Sequence, residues 1–241
     1  TSGIRSGQVA VPTGFSHWII KFDGISGTGL GDPAGYGLIE YAYYRMAVKA
    51  GVAMPECRLL PEGGRSHFLA RRFDRGPKGE KHHMQSLCAI AHFDYNSPGS
   101  YSYEQAFQIM RELRFPYADA EQFFIRMVFN VLARNQDDHT KNISFLMDEQ
   151  GEWRLSPAYD VIYAYNPSGK WTEKHQMSLN GKRDEFTRVD LLKVAREMNI
   201  KSAANILEQV NQAVSEWPQI AADCGVAKEQ ITAIQKVHRQ P

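Results

Sequence analysis

Cysteine is scarce in this chain: three in 241 residues, at Cys57, Cys88 and Cys224. An odd number at wide spacing argues against a disulfide framework and a thiolate zinc site; it suits a reducing cytosol and thiols buried as small apolar groups. Long apolar runs are missing too. No stretch approaches the roughly 18 residues of a membrane-spanning helix, and no secretory leader is visible. An excess of one charge is also absent, with 28 Lys and Arg against 27 Asp and Glu, a net charge of +1. Nothing global therefore draws the chain to nucleic acid or to a membrane. Repeats, low-complexity tracts and heptads are lacking. A hydrophobic content of 43% and a charged content of 23% are those of an ordinary globular protein, long enough for one large domain or two small lobes sharing a cleft.

Strand and turn signals dominate the beginning. WIIKF, residues 18–22, is short, apolar and β-branched, and Lys21 is its one charge. Leu38, Ile39, Ala42, Met46 and Ala47 recur at helical spacing, which predicts a helix over 37–50 that stops at Gly51. CRLLPEGGRSHFLARRF places two apolar runs around PEGG and reads as a β-hairpin. Beyond the polar connector RGPKGEKHH the patterns turn helical. MQSLCAIAHF is apolar on one side, Ser102 and Gln105 resemble a capping box, and 119–134 carries a broad apolar face. ISFLM and WRL read as a second hairpin leading into SPAYD; from about Thr187 come DLLKVAREM, AANILEQVNQAV and a last helix after Val226. The expected organisation is α+β: a small strand-rich lobe over 1–76, then a larger, mostly helical lobe over 77–241.

The stretch ARNQDDHTKNISFL, residues 133–146, crowds two carboxylates, a histidine, a lysine and two asparagines between Asn135 and Asn142. It reads as a solvated loop, a metal site or a catalytic loop. A zinc helix would need a pair of histidines four residues apart, and that pair is missing. The spacing from Asp137 to Asn142 is D-x-x-x-x-N, as in the catalytic loop of protein kinases. There a carboxylate free of metal accepts the proton of the attacking hydroxyl, and a neutral amide oxygen suits a hard cation. Such a motif is weak alone, but ordered companions accompany it. Asp160 follows the second hairpin, where a further magnesium ligand belongs; Lys21 sits on an early strand, where a phosphate contact belongs; Glu40 lies on the next helix, placed to orient that lysine. Singly, each has a plainer reading: Lys21 as an edge-strand guard, Glu40 as a solvent-facing helix residue, Asp160 as a cap, Asp138 as solvent-facing or a loop hydrogen-bonder, and His139 as a structural histidine.

HWIIKFDG, GYGLIEYAYYRMA, ARRFDR, HHMQSLC, ARNQDDHTKNISFL, LSPAYD and MSLNGK together resemble the HipA family, bacterial serine/threonine protein kinases that act as toxins of toxin–antitoxin pairs. The resemblance covers nearly the whole chain. It implies a two-lobed, protein-kinase-like core and the magnesium-dependent transfer of the ATP γ-phosphoryl group to a protein hydroxyl. It makes Asp137 the catalytic base, Asn142 and Asp160 the magnesium ligands, and Lys21 the phosphate contact steadied by Glu40. It makes RRFD the hinge, with the backbones of Arg71 and Phe73 at adenine and Asp74 at the ribose, and gives His139 and Lys141 supporting places, Lys141 near the terminal phosphate. It implies a cytoplasmic protein with an aminoacyl-tRNA synthetase as a possible substrate and a small helix-turn-helix antitoxin as partner, through which DNA would be met indirectly.

Family members carry a glycine-rich phosphate-binding segment upstream of the lysine strand. Here TSGIRSGQVAVPTGFSH precedes it, without a compact glycine-rich loop, and GISGTGLGDPAG falls after the lysine. The expectation is a C-terminal fragment. Two rival readings follow: a catalytically incomplete module that binds nucleotide or antitoxin, and a small-molecule kinase of the aminoglycoside type.

Overall fold

A computed structural model describes residues 3–4, 12, 14–26, 29–30 and 34–240. Strand β1 (Trp18–Lys21) opens the chain's first sheet, and a small pair, β2 (Ile25–Ser26) and β3 (Gly29–Leu30), follows it. Helix α1 (Tyr36–Lys49) comes next, then β4 (Cys57–Glu62) and β5 (Arg65–Arg71). The sheet has the order β1-β5-β4 and is antiparallel throughout, with Lys21 opposite Phe68 and Cys57 opposite Ala70. Gly63 and Gly64 join β4 to β5, both at positive φ, the backbone that a two-residue hairpin needs to match strand twist.

Helix α1 lies against this sheet at very short range. A Cβ on Gly37 would overlap the carbonyl oxygen of Ser66 in β5, so only glycine allows the approach. That contact brings Glu40, one turn later and buried, beneath the strand that carries Lys21. The other side of α1 faces the helical part of the molecule. Tyr43 packs edge-on to Trp217 at 5.1 Å and its hydroxyl donates to the Ala133 carbonyl at 2.7 Å. One contiguous apolar core thus runs from α1 into the helices beyond.

The remaining elements are β6 (His83–Ser86), α2 (Leu87–Ile90), α3 (Tyr103–Glu112), α4 (Tyr117–Leu132), β7 (Ser144–Met147), β8 (Trp153–Leu155), α5 (Arg188–Glu197), α6 (Ala203–Ser215), α7 (Trp217–Asp223) and α8 (Lys228–Gln235). Helix α4 is the central one, buried continuously from Phe123 to Leu132. The capping box of Ser102 and Gln105 opens α3. One expectation needs correction, and one element goes beyond the sequence reading. MQSLCAIAHF is not one helix: its first residues belong to β6, which pairs with β7 so that Ser86 faces Ser144. Only Leu87–Ile90 is helical, because a partner strand distant in sequence claims the backbone first. Helix α7, which begins at Trp217 with Pro218 in its first turn, was not anticipated as a separate element. Among the described residues no helix is long and apolar enough to cross a membrane.

Candidate active site

Helix α4 is capped by Ala133, and the chain turns sharply at Arg134, whose φ is 55°. The Asn135 amide returns to the Asn130 carbonyl at 3.0 Å, and backbone bonds of 3.3 and 3.1 Å tie Gln136 and Arg134 to Ala164. The loop that follows therefore starts from a fixed base. Its two adjacent carboxylates face opposite ways. Asp138 points inward and accepts three hydrogen bonds, from the Tyr103 hydroxyl at 2.6 Å, His175 Nδ1 at 2.7 Å and the Gln176 amide at 2.7 Å. It is the loop's buried anchor, which settles its two sequence readings in favour of the hydrogen-bonder.

Asp137 points outward, its side chain 43% exposed. The Asn142 side-chain amide donates to the Asp137 carbonyl at 3.0 Å, closing the five-residue interval. Burial raises the Asp137 carboxyl above its ordinary range; His139 and Lys141 oppose the rise, whereas Asp160 and Asp138 add to it. His139 Nε2 stands 3.8 Å from Asp137, and its Nδ1 is buried without a partner. Lys141 lies over the ring of Tyr95, 4.1 Å from its centre.

The second half of the site comes from elements far apart in sequence. Lys21 Nζ donates to Glu40 Oε1 at 2.6 Å and also to Asp160 Oδ1. Glu40 is buried and Asp160 is partly open. Burial pushes the Glu40 carboxyl up to about 7 against the pull of Lys21. The Lys21 ammonium is raised as well: burial works against its charge, and the two carboxylates more than offset that. Asp160 has a φ of 56°, a conformation that aspartate tolerates better than most side chains and that is often kept where function requires it.

Tyr159 welds the two halves together. Its hydroxyl donates to the Lys141 carbonyl at 2.6 Å, so Ser144 Oγ, 2.5 Å away, is the donor to it. Asn142 and Asp160 both line one small cavity with Asp138, Tyr159 and Arg126. Among the described residues no group of three His, Cys, Asp or Glu side chains could hold an ion by itself. The donors present nonetheless fit magnesium. Asn142 spends its N–H on Asp137, and Asp160 spends one oxygen on Lys21. A neutral amide oxygen and a carboxylate oxygen remain, the hard donors such an ion takes together with substrate phosphates.

The expected hinge follows β5. The ring of Phe73 lies 5.8 Å from that of Tyr159, beside Asp160. The Arg71 amide is bonded to the Glu56 carbonyl at 2.8 Å. Asp74 is held by Arg72 and Arg75 at 2.5 and 2.6 Å, and the Arg72 hydrogen bond holds its carboxyl below the usual range. The structure thus brings Lys21, Glu40 and Asp160 into contact, gathers Asp137, His139 and Asn142 in one loop, and leaves Lys141 against Tyr95 and Asp74 inside an arginine clamp. Sequence reasoning missed Tyr159. Ile19 is 53% exposed on the same strand face as Lys21, as the two-residue strand period requires. The glycine-rich stretches before β1 and around residues 27–33 lie largely outside the described residues.

Comparisons with known proteins bear on the family and the fold. A protein of Sinorhizobium fredii named "Putative kinase Y4dM" is 29% identical over 173 residues, which is 66% of this chain and 40% of that relative, so the chain spans well under half the relative's length. A structure of the Shewanella oneidensis toxin–antitoxin complex of HipA, HipB and operator DNA superposes with a TM-score of 0.70 at 17% identity, covering 91% of this chain and 56% of the other. The Helicobacter pylori proinflammatory kinase CtkA superposes with a TM-score of 0.57 at 12% identity, covering 92% and 86%. At those identities the likeness is one of fold: mixed α+β and kinase-like. The model of the HipA-like C-terminal domain matches residues 3–217, and the chain belongs to that family.

Proposed function

We propose that this chain is the core of an ATP-dependent serine/threonine protein kinase. The observation that carries the reading is the contact of Lys21 with both Glu40 and Asp160. It joins three charged residues from β1, α1 and the segment after β8 next to a loop with an outward carboxylate. Phosphoryl transfer asks little covalent chemistry of a protein; it needs positioning and neutralised charge.

Each residue has a task in that reaction. Lys21, steadied by Glu40, binds the α- and β-phosphates of ATP. Asp137 accepts the proton of a serine or threonine hydroxyl as its oxygen bonds to the γ-phosphorus and the bond to ADP breaks. Its raised pKa suits a base that must take up a proton. Asn142 fixes the loop backbone through the Asp137 carbonyl and, with Asp160, would hold magnesium, which when bound neutralises phosphate charge. Ile19, exposed on the strand face of Lys21, offers an apolar surface to adenine. The neighbour solved with HipB and operator DNA supports a small helix-turn-helix antitoxin as partner, with DNA met through it. A protein substrate, such as an aminoacyl-tRNA synthetase, rests on the family resemblance.

Calorimetric titration with ATP and magnesium tests the reading, beside Asp160→Asn and Asp137→Asn. The expected result is that the parent binds, Asp160→Asn loses most of the magnesium-dependent affinity, and Asp137→Asn keeps it. Transfer of labelled phosphate to a protein acceptor then completes the case. Binding without transfer would favour the nucleotide-binding module instead, and transfer to small alcohols alone the aminoglycoside-type kinase.

A further inference from the structure

The anchor of the catalytic loop is itself held from an unexpected direction. Asp138 accepts a hydrogen bond from Nδ1 of His175, a fully buried residue. The other ring nitrogen, Nε2, faces Nη1 of Arg239 at 3.5 Å. Arg239 lies in the segment after α8, just beyond the turn at 236–237. Its own amide donates to the Leu132 carbonyl at the end of α4 at 2.9 Å. Its guanidinium reaches Asp184 and lies 5.2 Å from the centre of the Phe186 ring. Arg134, at the start of the loop, shares Asp184 at 3.3 Å and donates to the Val237 carbonyl at 2.8 Å. The segment 237–239 is thereby fastened to the base of the loop that carries Asp137.

We infer that Arg239, acting through His175, is a positioning residue that holds Asp138, and with it the adjacent Asp137, in place for phosphoryl transfer. The assignment of Asp137 as base rests on the kinase reading above; the hold on Asp138 does not. Hydrogen-bond chemistry carries the argument. A guanidinium only donates, so the nitrogen facing it must be an acceptor, and the imidazole proton must sit on Nδ1, aimed at Asp138. The opposite tautomer would set a lone pair against the carboxylate and an N–H against the guanidinium. An imidazolium would set two cations face to face. Charge counting agrees: Asp138 and Asp184 oppose Arg134 and Arg239, and this set is neutral only with an uncharged His175. Tyr103 completes the hold, since its hydroxyl accepts from Asn130 at 3.1 Å and so donates to Asp138. None of these hydrogen bonds involves a group assigned to the substrate. They act by keeping a buried carboxylate still, one residue from the reacting group.

The test follows the state of His175 by long-range nitrogen–proton NMR in the parent, Arg239→Ala and Arg239→Lys, with Arg239→Gln in reserve should the alanine variant fail to fold. ATP affinity and transfer rate are measured on the same samples. The parent should show a neutral ring with its proton on Nδ1. In Arg239→Ala that signature should give way to the imidazolium or to mixed tautomers. The transfer rate should then fall roughly tenfold, the lower end of what a residue acting through another costs, with ATP affinity unchanged. Arg239→Lys should recover both. An unchanged His175 signature in Arg239→Ala, or a normal transfer rate despite a changed one, would overturn the inference. A parent that shows the expected signature but transfers no phosphate would instead overturn the kinase reading, leaving Arg239 as the support of a loop with another task.

Discussion

The hydroxyl of Tyr159 donates to the backbone carbonyl of Lys141 at 2.6 Å. This bond spans 18 residues of chain and ties the segment that presents Asp160 to the loop that presents Asp137. Together with the hydrogen bond from Ser144 it makes the two halves of the site one unit. Tyr159→Phe keeps the ring and removes both bonds. The expected cost is about 1–3 kcal/mol of stability, read from chemical denaturation. A weaker magnesium-dependent hold on ATP should accompany it, since Asn142 and Asp160 would no longer be fixed to each other.

The pH profile of transfer should report Asp137. The residue must be ionised to take a proton, and burial, together with Asp160 and Asp138, raises its carboxyl against the pull of His139 and Lys141. Activity should therefore fall on acidification before an ordinary carboxylate would be protonated. Asp137→Asn should lower the rate by about 10²–10⁴-fold, the usual worth of a general base. A rate–pH series on parent and variant checks both statements.

Glu40 makes a prediction of the opposite sign. Its carboxyl is pushed up to about 7 in the folded protein, so between the ordinary value and that one the folded chain binds the proton more readily than the unfolded chain. The stability this contributes is complete below the unfolded value and is lost as pH rises through about 7. Glu40→Gln removes the titration. Urea midpoints at about pH 5 and about pH 8 should show a smaller loss on alkalinisation in Glu40→Gln than in the parent. The same variant should weaken ATP binding, because Lys21 loses its buried partner.

Gly37 sets the approach of α1 to β5, and a methyl group there meets the Ser66 carbonyl. Gly37→Ala should destabilise the chain by about 1–3 kcal/mol, as overpacking does, despite the better helix propensity of alanine. It should also weaken nucleotide binding, because the helix that carries Glu40 is displaced from Lys21. A thermal melt paired with an ATP titration separates the two effects.

Much of this molecule could be read before folding. The hairpin around PEGG, the helix expected over 37–50 and found at Tyr36–Lys49, the capping box at Ser102 and the long helix before the loop of Asp137 are written in local periodicity and turn chemistry. A backbone responds to those signals wherever the segment lies. The contact of Lys21 with Glu40 and Asp160 joins residues that the sequence offered as part of one ordered set, a lysine, three acids and an amide, of the kind a kinase-like chain would need. The strand character of His83–Ser86 was not legible: its pairing partner, Ser144–Met147, lies some sixty positions away and carries no mark of the register.

The same division runs through the loop itself. By sequence alone Asp137 and Asp138 are two neighbouring carboxylates with nothing to tell their duties apart beyond the interval to Asn142. Their separation comes from Tyr103, His175 and Gln176, three donors brought together from α3 and the segment before α5, which draw one carboxylate inward and leave the other facing outward. Sequence determined which chemical groups are available and which elements carry them, because those depend on neighbours a few residues apart. Tertiary structure decided which carboxylate faces outward and which is held, because burial and hydrogen-bond partners are properties of the packed chain.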